Sequence, residues 1–148
     1  MPMFAALRRR APWVITGVAV VALVVLFGVR SCSARIIDAG GVQVLVAGYQ
    51  SGGSDAAGGG TLEVVGDCLG ARGDVYVFPQ GTEVVDEDPL TIDIPGFGEV
   101  SLGEEFEVGG GWEVEHSSDD AEPGPIEVGG VTIPDGCARY DIFLSAPQ

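Results

Sequence analysis

The chain has 148 residues, with 22 acidic side chains against seven arginines, no lysine, and a formal net charge of −15. Every acid lies at or after Asp38, and beyond Arg35 only Arg72 and Arg139 oppose them, which leaves −20 on the distal part. Such a surface repels phosphate backbones and anionic lipid headgroups, both of which are bound through Lys and Arg, so nucleic acid is excluded as a partner.

Residues 1–10 form a short basic tail ending in Arg8-Arg9-Arg10. Ala11–Val29 then runs for nineteen residues without a charge and is closed by Arg30. At 1.5 Å per residue such a helix is roughly 28 Å long, close to the ~30 Å hydrocarbon core. Residues 11–30 therefore read as a transmembrane signal anchor. The triple arginine keeps the N-terminus in the cytoplasm by the positive-inside rule, and Trp13 sits at the interface. A cleaved signal ending among Ser31–Ala34 is one alternative. Lipidation of Cys32 is another, although Arg30 departs from the small neutral residue that a lipobox expects. Each of the three exports the C-terminal part, placing it outside the plasma membrane.

Residues 31–60 read as a juxtamembrane segment and linker. Val42, Val44 and Val46 alternate as in a short strand. Gln50–Gly60 holds no large apolar residue and has the composition of a flexible Gly/Ser spacer. From residue 61 to 148 the apolar period is two, with turn signals every few residues. Leu62 and Val64, then Val75 and Val77, mark two early strands. Leu90–Ile94 alternates cleanly, Pro95–Gly98 turns the chain, and Glu99–Leu102 continues the alternation. Gly103-Glu104 is read as a hairpin turn into Glu105–Val108, and Gly109–Gly111 as a break before Trp112–Glu115. Ile126–Val128, Gly129-Gly130 and Val131–Ile133 form the clearest hairpin, and Tyr140–Leu144 the final strand. On this reading Leu90, Ile92, Ile94, Val100, Leu102, Phe106, Val108, Trp112, Val114, Ile126, Val128, Val131 and Ile133 share one buried face. Asp93, Glu99, Glu105, Glu107, Glu113, Glu115 and Glu127 share the solvated one. The expected fold is mainly β: the transmembrane helix, then a small antiparallel β-barrel (OB-like) or β-sandwich closed by one disulfide.

Cys68 and Cys137 bracket this domain, and in an exported chain they are expected to form that disulfide. Cys32 is then the odd thiol, a site for lipid or an intermolecular bridge. Asp86-Glu87-Asp88 and the Asp119, Asp120, Glu122 cluster could offer oxygens to calcium, though neither has the twelve-residue loop that ends in a bidentate Glu. His116 is the only histidine, and no nucleophile elbow, phosphate loop or His-Glu-x-x-His pattern accompanies it. No catalytic activity is inferred from it. Arg72-Gly73-Asp74 matches an integrin-binding tripeptide but reads equally as a turn. Tyr76, Phe78, Phe97 and Phe143 are candidate interaction aromatics, with burial in the core as the alternative.

The stretches Cys68-Leu69-Gly70, Val77–Thr82, Gly109-Gly110-Gly111 and Ile133–Cys137 sit behind a basic tail, one apolar span and a Gly-rich segment. In this the chain resembles uncharacterised single-pass exported membrane proteins of actinobacteria with a small two-cysteine β domain. The resemblance implies location and fold class and carries over no functional residue. The expected role is a membrane-anchored binding or scaffolding module of the cell envelope, held to the membrane through Ala11–Val29 and facing an envelope protein or wall component. A calcium-binding module and an enzyme with a site near His116 are the alternatives.

Overall fold

The computed structural model describes residues 33–51, 55–116 and 125–146. Among them run thirteen strands: β1 Arg35–Ala39, β2 Val42–Val46, β3 Ala56–Thr61, β4 Glu63–Val65, β5 Cys68–Ala71, β6 Asp74–Phe78, β7 Glu83–Glu87, β8 Leu90–Ile94, β9 Gly98–Ser101, β10 Glu105–Val114, β11 Glu127–Val128, β12 Val131–Thr132 and β13 Ile142–Ser145. No helix among the described residues is long and apolar enough to cross a membrane, and Ala11–Val29 lies outside them.

Eight strands form one sheet in the order β1-β2-β5-β6-β13-β10-β3, with β4 added on β5. The expected antiparallel barrel or sandwich is not what forms. The sheet is open and mixed: β13 lies parallel to β6, and β2 lies parallel to both β5 and β6. A three-stranded sheet, β7-β8-β9, and the β11-β12 hairpin are separate from it.

The departure has a physical reason in two short runs. Val75-Tyr76-Val77-Phe78 and Ile142-Phe143 are buried at every position, as strands covered on both faces must be. On one face Tyr76, Phe78, Phe106 and Phe143 pack with Leu90, Ile92, Ile94 and Val100 of the three-stranded sheet. On the other, Val75, Val77 and Ile142 pack with Val128, Val131 and Ile133 of the hairpin region and with Cys137. Apolar residues read as one face are thus divided between two cores, and Leu102 and Trp112 of that set are exposed. The acids Asp93, Glu99, Glu105, Glu107, Glu113, Glu115 and Glu127 are exposed, as expected.

The hairpins at Pro95–Gly98 and Gly129-Gly130 form as read. Gly103-Glu104 does not join a hairpin. There the chain leaves β9, which pairs with β8, and enters β10, which pairs with β3 and β13. Gly109–Gly111 does not break a strand either, since β10 runs unbroken through it.

Residues 31–60, read as a join and linker, supply β1 and β2 and most of β3. The glycines of β3 are there because nothing larger fits. A Cβ on Gly58 would stand 2.6 Å from Cε1 of Phe143, and one on Gly110 of β10 would stand 2.7 Å from the same atom. The Phe143 ring therefore lies over two strands, stacked on Tyr76 at 4.8 Å and met edge-on by Trp112 at 5.0 Å.

Cys68 at the head of β5 is bonded to Cys137, with their Cα atoms 5.9 Å apart. Closing a loop of 69 residues stabilises the fold by roughly 4 kcal/mol in the chain-entropy model.

Gly58→Ala and Gly109→Ala separate crowding from strand propensity, because a Cβ at Gly109 meets nothing within 4 Å. Urea unfolding should show Gly58→Ala losing about 1–3 kcal/mol, the usual cost of overpacking, and Gly109→Ala changing little. Equal effects at the two positions would refute the seating of the Phe143 ring.

Candidate functional site

An open groove of about 940 Å³ runs along β3 and the first half of β10, bounded by Arg72 and Phe97. Its floor is the backbone of Gly58–Gly60, of which Gly59 is buried and Gly60 lies against the Arg72 side chain. β3 ends the large sheet, so no strand pairs with its outer side among the described residues.

Two turns place the flanking side chains. Arg72 and Gly73 both have positive φ, 56° and 83°, and join β5 to β6 as a two-residue type I′ turn. Gly73 N–H donates to Glu63 Oε1 at 2.8 Å and ties this turn to β4. The Arg72 side chain then lies along Gly60, where a Cβ would stand 3.0 Å from its Cγ and Nε. At the second turn, Phe97 N–H donates to Ile94 O at 3.0 Å, with Pro95 and Gly96 (φ 87°) between them. Pro followed by a positive-φ Gly defines a type II turn and leaves Phe97 at its end, 43% exposed. Asp55, Glu105 and Glu107 are exposed carboxylates on the groove wall, opposed by the Arg72 guanidinium.

Beneath the groove, Gly59 N–H donates to the hydroxyl oxygen of buried Tyr76 at 2.8 Å. Burial raises the pKa of this phenol, partly offset by the Gly59 hydrogen bond. Tyr76 is thus a pillar joining the core to the groove floor.

The residues singled out in the sequence are not gathered here. Of the four candidate aromatics, Tyr76, Phe78 and Phe143 are fully buried and belong to the core, while Phe97 alone reaches the groove. Three of them sit on β6 and β13, where both faces of the sheet are covered, which is why their positions offered no surface. Asp86 and Glu87 are exposed on β7, and Asp88 N–H donates to Asp86 Oδ1 at 3.0 Å in a local turn. Asp119, Asp120 and Glu122 lie outside the described residues, as does Cys32. Among the described residues no group of three His, Cys, Asp or Glu side chains is arranged to hold a metal ion. His116 is fixed twice: its N–H donates to Asp141 Oδ1 at 2.7 Å, and its Nε2 is 2.8 Å from Ala138 O. Asp74 of the Arg72-Gly73-Asp74 tripeptide accepts from the Trp112 indole N–H at 3.0 Å.

The glycine floor escaped sequence reading because Gly58–Gly60 has the composition of a spacer. The available signal was the second triplet, Gly109–Gly111, since glycine inside a strand often marks a site of close approach by a neighbouring group.

No family model, curated protein or solved structure matches this chain.

Tyr76 links the groove floor to pH. Its folded pKa lies above the ordinary value of about 10, so the stability it contributes is complete below pH ~10 and is lost as pH rises through the folded value. Thermal melts between pH 8 and 11 should show the midpoint of the parent protein falling at the alkaline end. Tyr76→Phe should fall less steeply, while losing about 1 kcal/mol at pH 8 with the Gly59 hydrogen bond. Parallel pH profiles would show that Tyr76 is not the titrating group.

Proposed function

We propose that this protein is a membrane-anchored binding or scaffolding module of the cell envelope that uses the β3 groove as its ligand surface. The observation that carries the reading is an open groove along β3 and β10, floored by glycine backbone and bounded by an exposed aromatic and an arginine. A large aromatic held out by a type II turn at the rim of such a groove can anchor an interface.

The location rests on sequence. Ala11–Val29 is long enough to span a bilayer, Arg8-Arg9-Arg10 orients it, and the acidic domain then stands outside. The disulfide between Cys68 and Cys137 is in keeping with an oxidising compartment. The likeness to single-pass exported actinobacterial proteins points the same way.

Both parts can be tested in spheroplasts carrying the full chain. External protease should digest the acidic domain, and full protection would reverse the orientation. A photoreactive phenylalanine at position 97 should give a discrete adduct with an envelope component. The same group at Val85, exposed on β7, is the control. Absence of an adduct at 97, or equal labelling at both positions, would remove the groove as the binding surface.

A further inference from the structure

We propose that an acid-free surface of the β domain, carrying the exposed Tyr49, rests on the headgroups of a lipid bilayer. This rests on the anchor reading above and adds a second contact with the membrane.

The length of chain before the domain sets the distance. β1 opens at Arg35, the fifth residue after Arg30, which closes the apolar run. Five residues span at most roughly 18 Å when fully extended. Ala34 already packs against the core that holds Leu45, Val128 and Ile133, so folded structure begins before β1 does. Gln50–Gly60, which has the composition of a spacer, follows β1 and β2 in the chain. It therefore cannot hold the domain away from a bilayer spanned by Ala11–Val29.

Four segments meet where β1 begins. Arg35 pairs with Val46 and donates from its guanidinium to Thr82 O at 2.8 Å. A Cβ on Gly130 would stand 3.3 Å from Cβ of Ala34. Ala47 N–H donates to Phe78 O and Gly48 N–H to Gly129 O, each at 2.9 Å. Residues 33–35, 46–51, 78–82 and 129–130 are thus joined, and they contain no acid. Arg35 is their one charge, and Glu83 borders them just past Thr82. Every one of the 22 acids lies elsewhere in the domain.

Tyr49 follows Gly48 and is 75% exposed, more than any other large apolar side chain among the described residues. The nearest acid in sequence is Asp55, six residues on. Other exposed apolar side chains lack this setting: Val64 adjoins Glu63, Val85 adjoins Asp86, and Trp112 adjoins Glu113. A phenol is apolar in its ring and polar at its tip, and Tyr collects at membrane–water interfaces for that reason. Anionic headgroups repel the acidic strands, whereas this surface meets them with Arg35 alone. Chain length and charge therefore select the same surface.

The test uses the full chain with Cys32→Ser, reconstituted in phosphatidylcholine vesicles containing a lipid spin-labelled on its headgroup. A fluorophore on Ser51→Cys reports beside Tyr49, and Cys68 and Cys137 are bonded and escape labelling. The control is Glu87→Cys, exposed at the end of β7 away from Thr82. Quenching at position 51 should be at least twice that at position 87, and Tyr49→Ser should at least halve it. Equal quenching at the two positions, in chains that float with the vesicles, would overturn the contact and keep the anchor. Quenching at 51 that is unchanged by Tyr49→Ser would also overturn it. Chains that fail to float would reject the anchor, and this contact with it.

Discussion

Phe143 has no side chain beneath its ring. Carried on β13, the ring lies across β10 and reaches β3, held between Tyr76 above and the backbones of Gly58 and Gly110 below. Everything at this end of the sheet follows from that contact. Gly58 and Gly110, one from each glycine triplet, admit the ring because a methyl group at either position would collide with it, and close packing in a protein interior leaves little room to relax. Trp112 meets the ring in a T-shaped contact and is steadied there by Asp74. Gly58, which admits the ring from inside, also lines the groove. The groove is in this sense a by-product of core packing.

Individual turns, several strands and the disulfide were legible from residues alone, while the mixed sheet and its strand order were not. Leu90–Ile94 alternates because one side faces the core and the other faces water. Pro95-Gly96 and Gly129-Gly130 announce hairpins because only those residues take up the required dihedrals cheaply. The pairing of Cys68 with Cys137 was expected because there is no other cysteine within the domain, and the two are bonded. Other features were hidden for identifiable reasons. A strand covered on both faces, such as Val75–Phe78, shows a continuous apolar run, and reading it by alternation assigns half of it to solvent. Leu102-Gly103-Glu104 has the chemistry of a tight turn whether the chain doubles back or crosses to another sheet, so local composition could not separate the two. Gly58–Gly60 was indistinguishable from a spacer because its strand state comes from pairing with β10, more than forty residues away in sequence. Of the candidate site, only Phe97 could be picked out beforehand, and it could not be placed beside Arg72 without the fold.

The acidic surface and the groove pull in one direction. Exposed carboxylates on β7, β8 and β9 keep the small sheet from pairing with neighbours and keep copies of the chain apart. On β10 the same residue type, Glu105 and Glu107, lines the groove together with Arg72.

β13 is the latest strand in the sequence, yet it sits between β6 and β10 in the middle of the large sheet. Its parallel neighbour β6 is separated from it by residues 79–141, so the sheet remains in two pieces until the final strand arrives. Pairings between distant segments are the slow ones to form. The two pieces, β1-β2-β5-β6 with β4 on one side and β10-β3 on the other, meet only through β13, so the large sheet cannot be completed before residues 142–145 are in place.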